Sequence, residues 1–154
     1  MANIGLHIHI EGLNEIERKM KRLGADFSKR KYLDKIGIML LGWSGELFDK
    51  EGKARGRLLR WRKLKPSTIK RRRKGSSRIL QDTGRLRQSF VYKVHHSNEW
   101  VEMGSADKRS PWHHFGIKPH LPARPLVPTA MNGREMAEEI LEAYVKRALS
   151  KLEG

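Results

Sequence analysis

The sequence predicts an α+β fold: a small antiparallel or mixed sheet packed against two or three helices, with a long basic arm. One stretch near the start and two near the middle alternate between apolar and polar residues, which is typical of strands. Three other stretches place apolar residues at spacings of three and four, which is typical of amphipathic helices. Because the chain has 154 residues, we expect a single domain over residues 1–154.

The first strand and the first helix follow each other directly. Between residues 4 and 10, isoleucine or leucine alternates with glycine or histidine, and this period of two predicts a half-buried strand with His7 and His9 on its outer face. Gly12 ends the strand. The next apolar residues have helical spacing and predict a helix that ends at Gly24: Leu13, Ile16, Met20 and Leu23.

A longer helix is predicted from about Ser28 to about Lys50, with Asp26 or Ser28 capping its start. Three glycines lie inside it, and each costs up to about 1 kcal/mol relative to alanine. They indicate either a tolerated weakness or the close approach of another backbone, such as that of a neighbouring subunit: Gly37, Gly42 and Gly45. The predicted buried stripe consists of Leu33, Ile36, Leu40, Ser44 and Leu47.

Residues 52–80 carry much of the positive charge. The chain has 33 Lys and Arg against 17 Asp and Glu, a formal net charge of +16, and no acid lies between Glu51 and Asp82. We expect this segment to be a partly mobile basic arm, with a short helix from Pro66 to Arg73. It either contacts a polyanion, such as DNA phosphates or an acidic partner, or is a solvated loop. The candidate contact residues are Arg60, Arg62, Lys63, Lys65, Lys70, Arg71, Arg72, Arg73 and Lys74.

The second half of the chain predicts a hairpin, a loop and a helix. Alternation from Phe90 to Val94 and a second short strand from Trp100 to Met103 flank a turn at residues 97–98. Residues 105–128 hold five of the six prolines, so we expect an extended loop without helix. The last amphipathic helix is predicted over residues 132–152, with Asn132 as its cap.

Residue types give little support to an enzyme. The chain has seven histidines and no cysteine, and the histidine spacing matches no known zinc pattern. A metal-dependent hydrolase using His113 or His114 is the enzymatic hypothesis, but no carboxylates cluster with the histidines. We therefore expect no catalytic residues, cofactor or metal. The longest apolar run, near residues 37–43, is too short to span a bilayer, so we expect no membrane partner.

Three segments, in order, resemble the virion morphogenesis, or tail completion, family of Mu-like phages. The first, at residues 61–73, has a Trp-x-x-Leu-x-x-x-Thr pattern, and the second, at 79–89, has Ile-Leu-x-x-Thr-Gly-x-Leu-x-x-Ser. The third has Gly104, a His-x-Phe-Gly at 113–116 and a Pro-Ala-Arg-Pro at 122–125. The motif residues are Trp61, Leu64, Thr68, Leu80, Thr83, Gly84, Leu86, Gly104, His113, Phe115, Gly116, Pro122, Arg124 and Pro125.

The resemblance implies a structural protein of a tailed phage or prophage that completes the tail and joins it to the head. Related proteins form rings, often of six subunits, so the implied partners are other copies and tail-tube or head-connector proteins. The implied location is the tail or neck of the virion, and the host cytoplasm during assembly.

Within that family role, Gly84 and Gly116 supply backbone conformations closed to other residues. Arg124 forms a bidentate ion pair with a carboxylate, either inside the chain, where it holds the loop, or across an interface. We expect the basic arm to order on contact with a partner, so that a deletion of residues 55–75 leaves the fold intact but abolishes assembly. The alternative function is a nonspecific nucleic-acid-binding protein that uses the arm from Lys53 to Lys74.

Overall fold

The computed structural model describes residues 4–154 and has the predicted α+β architecture. A three-stranded antiparallel sheet, in the order β1-β3-β2, is formed by β1 (Ile4–His9), β2 (Phe90–His95) and β3 (Trp100–Ser105). The chain returns from β2 directly to β3 as the predicted hairpin, and β1 pairs with the other edge of β3.

Alternation decides which face of the sheet is buried. In register, Leu6 of β1 and Tyr92 of β2 flank Met103 of β3, and all three point to the helices. The residues between them lie on the open face, where His7 and Val91 are exposed. One face therefore packs on the core while the other is free, as is common in antiparallel sheets.

The helices are α1 (Leu13–Arg22), α2 (Lys29–Asp49), α3 (Pro66–Arg71), α4 (Arg85–Gln88), α5 (Ser110–Phe115) and α6 (Ala130–Ser150). A single 3₁₀ turn, Arg73–Gly75, follows α3. Helix α2 is the central one. Its predicted stripe is confirmed, since Leu33, Ile36, Leu40, Ser44 and Leu47 are each at most 2% exposed.

Two contacts fix α2 against its neighbours. Gly37 lies so close to the sheet that a Cβ built there would be 2.1 Å from Cδ2 of Tyr92. At the other side, the buried Tyr32 hydroxyl donates a hydrogen bond of 2.7 Å to the Ala137 carbonyl of α6, and burial raises the pKa of Tyr32. Gly37 is therefore neither a tolerated weakness nor a point where another backbone approaches, because the neighbour is the side-chain ring of Tyr92 in the same chain. Gly42 and Gly45 have no atom within 4 Å of the Cβ position, among the residues described.

Helix caps confirm one prediction and correct another. The Ser28 hydroxyl accepts from the Lys31 amide at 3.3 Å, as predicted for the start of α2. Helix α6 begins earlier than predicted, and its cap is Thr129 rather than Asn132. The Thr129 hydroxyl accepts from the backbone amide of Asn132 at 3.2 Å. The Asn132 amide group donates to the Gly56 carbonyl instead. The end of α6 was also misplaced: Leu152 lies past Ser150 and is 47% exposed.

The prediction that residues 105–128 contain no helix is wrong. Helix α5 forms at Ser110–Phe115 because Pro111 lies in its first turn, where the missing N–H has no partner to lose. The buried Ser110 hydroxyl donates to the Asp107 carbonyl at 2.7 Å. The remainder of this stretch is irregular apart from one bridge between Ile117 and Leu121.

The basic segment 52–80 lies against the domain at both ends. Ala54, Trp61, Ile79 and Leu80 are at most 9% exposed, and the predicted short helix is present as α3. A projecting basic arm is therefore not what the structure shows. Because residues 55–75 include the buried Trp61, we expect that their deletion would damage the fold, contrary to the expectation from the sequence.

Candidate partner-binding site

The first and third motif segments meet around Trp61. This indole is 4% exposed and packs edge-on against Phe48 of α2, with 5.4 Å between ring centroids. Its Nε1 donates to the Pro125 carbonyl at 3.3 Å. Their sequence neighbours form a second contact, in which Nη2 of Arg124 donates to the Arg62 carbonyl at 3.1 Å. The basic segment is thereby fastened to the proline-rich loop across more than sixty residues of sequence.

The second motif segment joins the same cluster. Leu80 and Leu86 are buried, and with Thr83 they line a small cavity of about 120 Å³ that Arg72 and His113 also line. Gly84 has φ +75° and is the residue from which α4 starts. The positive φ confirms the conformational role expected of this glycine.

The third segment folds back on itself. The His113 carbonyl accepts from the Arg124 amide at 2.7 Å, and Nδ1 of His114 accepts from the Leu126 amide at 3.0 Å. Gly116 has φ +75°, and a Cβ there would be 2.6 Å from the Ala123 nitrogen. Glycine is therefore required both by the backbone conformation and by the space.

Most of the motif residues thus form one cluster with graded exposure. Its buried members are Trp61, Leu80, Leu86 and Arg124. Gly104 is also buried, but it belongs to β3 and lies on the open face of the sheet. Leu64, Thr68, Gly84, His113, Gly116, Pro122 and Pro125 are half-buried. Thr83 is exposed, and Phe115 is 71% exposed beside Trp112, which is 54% exposed.

Five of the nine predicted contact cations line a pocket of this cluster: Arg62, Lys63, Lys65, Arg71 and Arg72. Eight of the nine are exposed and one, Arg72, is half-buried and donates to the carbonyls of Ser76 and Arg78. Within residues 4–154, none of the nine forms an ion pair. Their charges are uncompensated by the chain and available to an anionic partner.

Comparison with known proteins agrees with this arrangement. A model of the phage virion morphogenesis family matches residues 12–146, which includes all three motif segments. The chain belongs to this family. Its members are structural proteins of virion assembly, and the chain is a tail-related morphogenesis protein rather than an enzyme. No curated protein and no solved structure matches the chain.

Arg124 of this morphogenesis protein lacks the carboxylate predicted for it. The side chain is 4% exposed, its Nε has no hydrogen-bond partner, and no acidic group of residues 4–154 lies within ion-pair distance. Burial lowers the pKa of Arg124, and the charges of Arg72 and Arg62 lower it further. A backbone carbonyl, that of Arg62, takes the place of the internal ion pair. The predicted interface role stays a prediction.

His113 lies in the same positive surroundings. Burial lowers its pKa, with further lowering by Arg124 and Arg109. Its Nδ1 is buried without a hydrogen-bond partner. The charge of Arg109 is itself engaged, since its Nη2 lies 2.7 Å from Oδ2 of Asp107, and this contact lowers the pKa of Asp107 to about 2.

The sequence did not predict the arrangement on the open face of the sheet. Trp100 stacks on His95 with 3.7 Å between ring centroids and on His7 with 4.9 Å. Glu102 lies 3.9 Å from His7 and 3.8 Å from His95. These residues line a shallow concavity of about 630 Å³. These residues come from all three strands, and only the strand register shows that they become neighbours.

Two further findings bear on partners. In the part of the chain that the structure covers, no group of three or more His, Asp or Glu is placed to hold a metal ion. No helix within residues 4–154 combines the length and the apolar character needed to cross a membrane.

Proposed function

We propose that this morphogenesis protein completes the phage tail and joins it to the head, by self-association and by docking on tail or head-connector proteins. The observation that carries the proposal is the motif cluster itself. It fastens the basic segment to a domain that the family places in virion assembly, and the nine predicted contact cations of that segment make no ion pair within residues 4–154. Fixed cations supply orientation and selectivity to docking as well as attraction.

Self-association has a candidate surface in the open face of the sheet. Val91 is 61% exposed there, next to the concavity that contains Trp100 and the two histidines. An uncovered sheet face with exposed apolar groups is suited to contact with another copy in a ring. A Val91→Glu variant should keep its secondary structure but lose any oligomer that the wild type forms, as measured by light scattering. An unchanged mass would place the self-association surface elsewhere.

The docking role is tested by removing charge without touching the core. Lys70, Arg71, Arg73 and Lys74 are exposed, and their replacement by glutamine keeps Trp61 and Arg124 in place. A phage or prophage that carries this variant should produce heads and tails that remain separate in electron micrographs.

The matched control removes the same charge elsewhere. Lys21, Arg22, Arg30 and Lys31 are exposed on α1 and α2 and make no ion pair within residues 4–154. Their replacement by glutamine should leave joined particles at wild-type numbers. Equal loss in both variants would mean that total charge, and not the basic segment, determines assembly. Normal joining in both would remove the basic segment from the mechanism.

A second candidate function is nonspecific binding of nucleic acid, and the same unpaired cations favour it. Each phosphate that the protein neutralises should contribute a slope of about −0.9 to the dependence of log affinity on log salt for duplex DNA. The mass of the purified protein should be measured at low and high salt, with and without duplex DNA. An oligomer that persists without DNA supports the assembly role. A monomer that changes mass only with DNA, and reverts in salt, supports nucleic-acid binding.

A further inference from the structure

A pocket of about 430 Å³ lies between the basic segment and the proline-rich loop. Arg62, Lys65 and Arg72 line it on one side, and Arg124 and His113 line it on the other. None of the described residues that line it is acidic. Asp82 lines only the adjoining smaller cavity and makes no ion pair with Arg72. The pocket therefore concentrates hydrogen-bond donors and positive charge. Asp107, whose charge acts on His113, is not among the lining residues and is paired with Arg109.

The innermost groups of this pocket are short of acceptors. Arg124 is 4% exposed, and of its guanidinium nitrogens Nη2 alone makes a hydrogen bond, to a neutral carbonyl, while Nε has no acceptor. Nδ1 of His113 is also buried without a partner, and it would donate to an anion in the tautomer that carries the proton on this nitrogen. A buried guanidinium is usually paired with an anion, because leaving such a group uncompensated is costly. An anion from outside the chain would supply what is missing.

We infer that this pocket binds a carboxylate carried on a short apolar stem: the side chain of a glutamate in an acidic segment of another virion protein. The inference rests on the proposed function for the class of partner. The guanidinium fork of Arg124 matches the two oxygens of a carboxylate. The net charge of +16 favours an acidic partner over a second copy of this chain.

The shape of the pocket favours a protein side chain over a DNA phosphate. Arg124 is almost fully buried, so a ligand must reach into the pocket. A glutamate extends two methylene groups from its backbone, whereas a phosphate of duplex DNA is flanked by bulky sugars. Leu64, Leu80 and Leu121 supply apolar lining suited to an aliphatic stem.

The test uses the full-length protein and a fluorescein-labelled peptide of alternating glutamate and leucine, with a glutamine-for-glutamate peptide as control. Fluorescence anisotropy gives the affinity. An Arg62→Gln/Lys65→Gln variant changes two exposed pocket residues, and Lys21→Gln/Arg22→Gln removes the same charge from α1, outside the pocket. The pocket variant should bind about tenfold more weakly, which corresponds to ~1.4 kcal/mol. The control variant should stay within about twofold, since an exposed charge outside the site contributes little.

A second measurement reports on Arg124 directly. Its Nε–H signal in a nitrogen–proton NMR spectrum, identified by its absence from Arg124→Lys or by sequential assignment, should shift when the glutamate peptide is added. The glutamine peptide should leave it unchanged.

Several results would overturn the inference. Equal weakening in both charge variants would mean diffuse attraction rather than a site. Inorganic phosphate or a 20-base-pair duplex that displaces the peptide at equal charge concentration would mean a site for any oxyanion or for DNA. Self-association lost only in Arg62→Gln/Lys65→Gln would make a second copy the occupant. Failure of head–tail joining tests would remove the proposed function but would leave the peptide result standing, so the two failures can be told apart.

Discussion

Gly37 should be irreplaceable because of a contact inside the chain. In a Gly37→Ala variant the new Cβ would lie 2.1 Å from Cδ2, 2.4 Å from Cε2 and 2.6 Å from Cγ of Tyr92. The ring is stiff and belongs to a strand that is paired along its whole length. Either the ring leaves its position on the core face or α2 moves away from the sheet.

The expected change in the free energy of unfolding is a difference between two effects. Alanine is favoured over glycine in a helix interior by about 1 kcal/mol. Overpacking of a core contact costs about 1–3 kcal/mol, and three ring atoms under 3.0 Å favour the upper part of that range. We expect a net loss of about 1–2 kcal/mol, or roughly 2–8 °C in Tm for a chain of this size.

Gly42→Ala is the matched control on the same helix. Its Cβ would meet nothing within 4 Å among the residues described, so the variant should gain up to about 1 kcal/mol from helix propensity alone. Thermal and urea unfolding followed by circular dichroism measure both variants, with the mass in solution recorded alongside. If Gly42→Ala instead loses an oligomer, the second glycine serves an interface between subunits.

A double variant tests the cause. With Tyr92→Ala in place, Gly37→Ala should stabilise the protein, because the ring that it strikes is gone. Gly37→Ala as stable as Gly42→Ala, or a loss that persists without the Tyr92 ring, would refute the packing argument. Gly37 would then have to be explained by the helix itself.

The other predictions concern anchors and caps. Trp61→Ala should lower the free energy of unfolding in urea by about 3–5 kcal/mol, because it opens a cavity against Phe48; an effect below about 1 kcal/mol would mean that the basic segment is not held there. Thr129→Ala should cost about 1 kcal/mol through loss of the α6 cap, and an unaltered Tm would contradict that assignment. Asp107→Asn should cost at most about 1 kcal/mol at pH 7, since Arg109 is half-exposed and solvent screens the pair. The pKa of Asp107 is depressed from 3.8 to about 2 in the folded protein, so its contribution to the free energy of unfolding is present above pH 3.8 and disappears as pH falls through about 2. The unfolding curves of the wild type and Asp107→Asn should therefore converge over that range.

The elements that the sequence predicts correctly are those whose signal is repeated within one stretch. The stripe of α2 and the alternation of β1 each place several residues under the same periodic constraint, so tertiary packing has only to use them. Helix α5 and the cap of α6 depend on one residue each. Pro111 breaks a helix interior but is tolerated in the first turn where it lies, and Thr129 is only three residues before the predicted cap, Asn132.

The sequence predicts which residues belong to the candidate site, but not where in the fold they meet. The motif segments marked Trp61, His113 and Arg124, yet their convergence depends on contacts such as that between Trp61 and Pro125, for which no local pattern exists. Nor could the sequence predict that no carboxylate of the described residues would pair with Arg124. Sequence spacing indicates which acids are available, whereas only the fold determines which of them can approach a buried guanidinium.

The anchoring of the basic segment changes what its charge can do. A flexible cationic loop attracts any polyanion, and its ordering on contact would reduce the affinity. Here Trp61 and the Arg124–Arg62 hydrogen bond hold the segment before any partner arrives, so a docking partner would meet cations at set positions. An uncompensated arginine beneath them makes the unbound state less stable than it would be with an acceptor. A glutamate peptide that fills the pocket should therefore raise the Tm of the wild type, by the linkage between binding and stability, and raise it less in Arg62→Gln/Lys65→Gln.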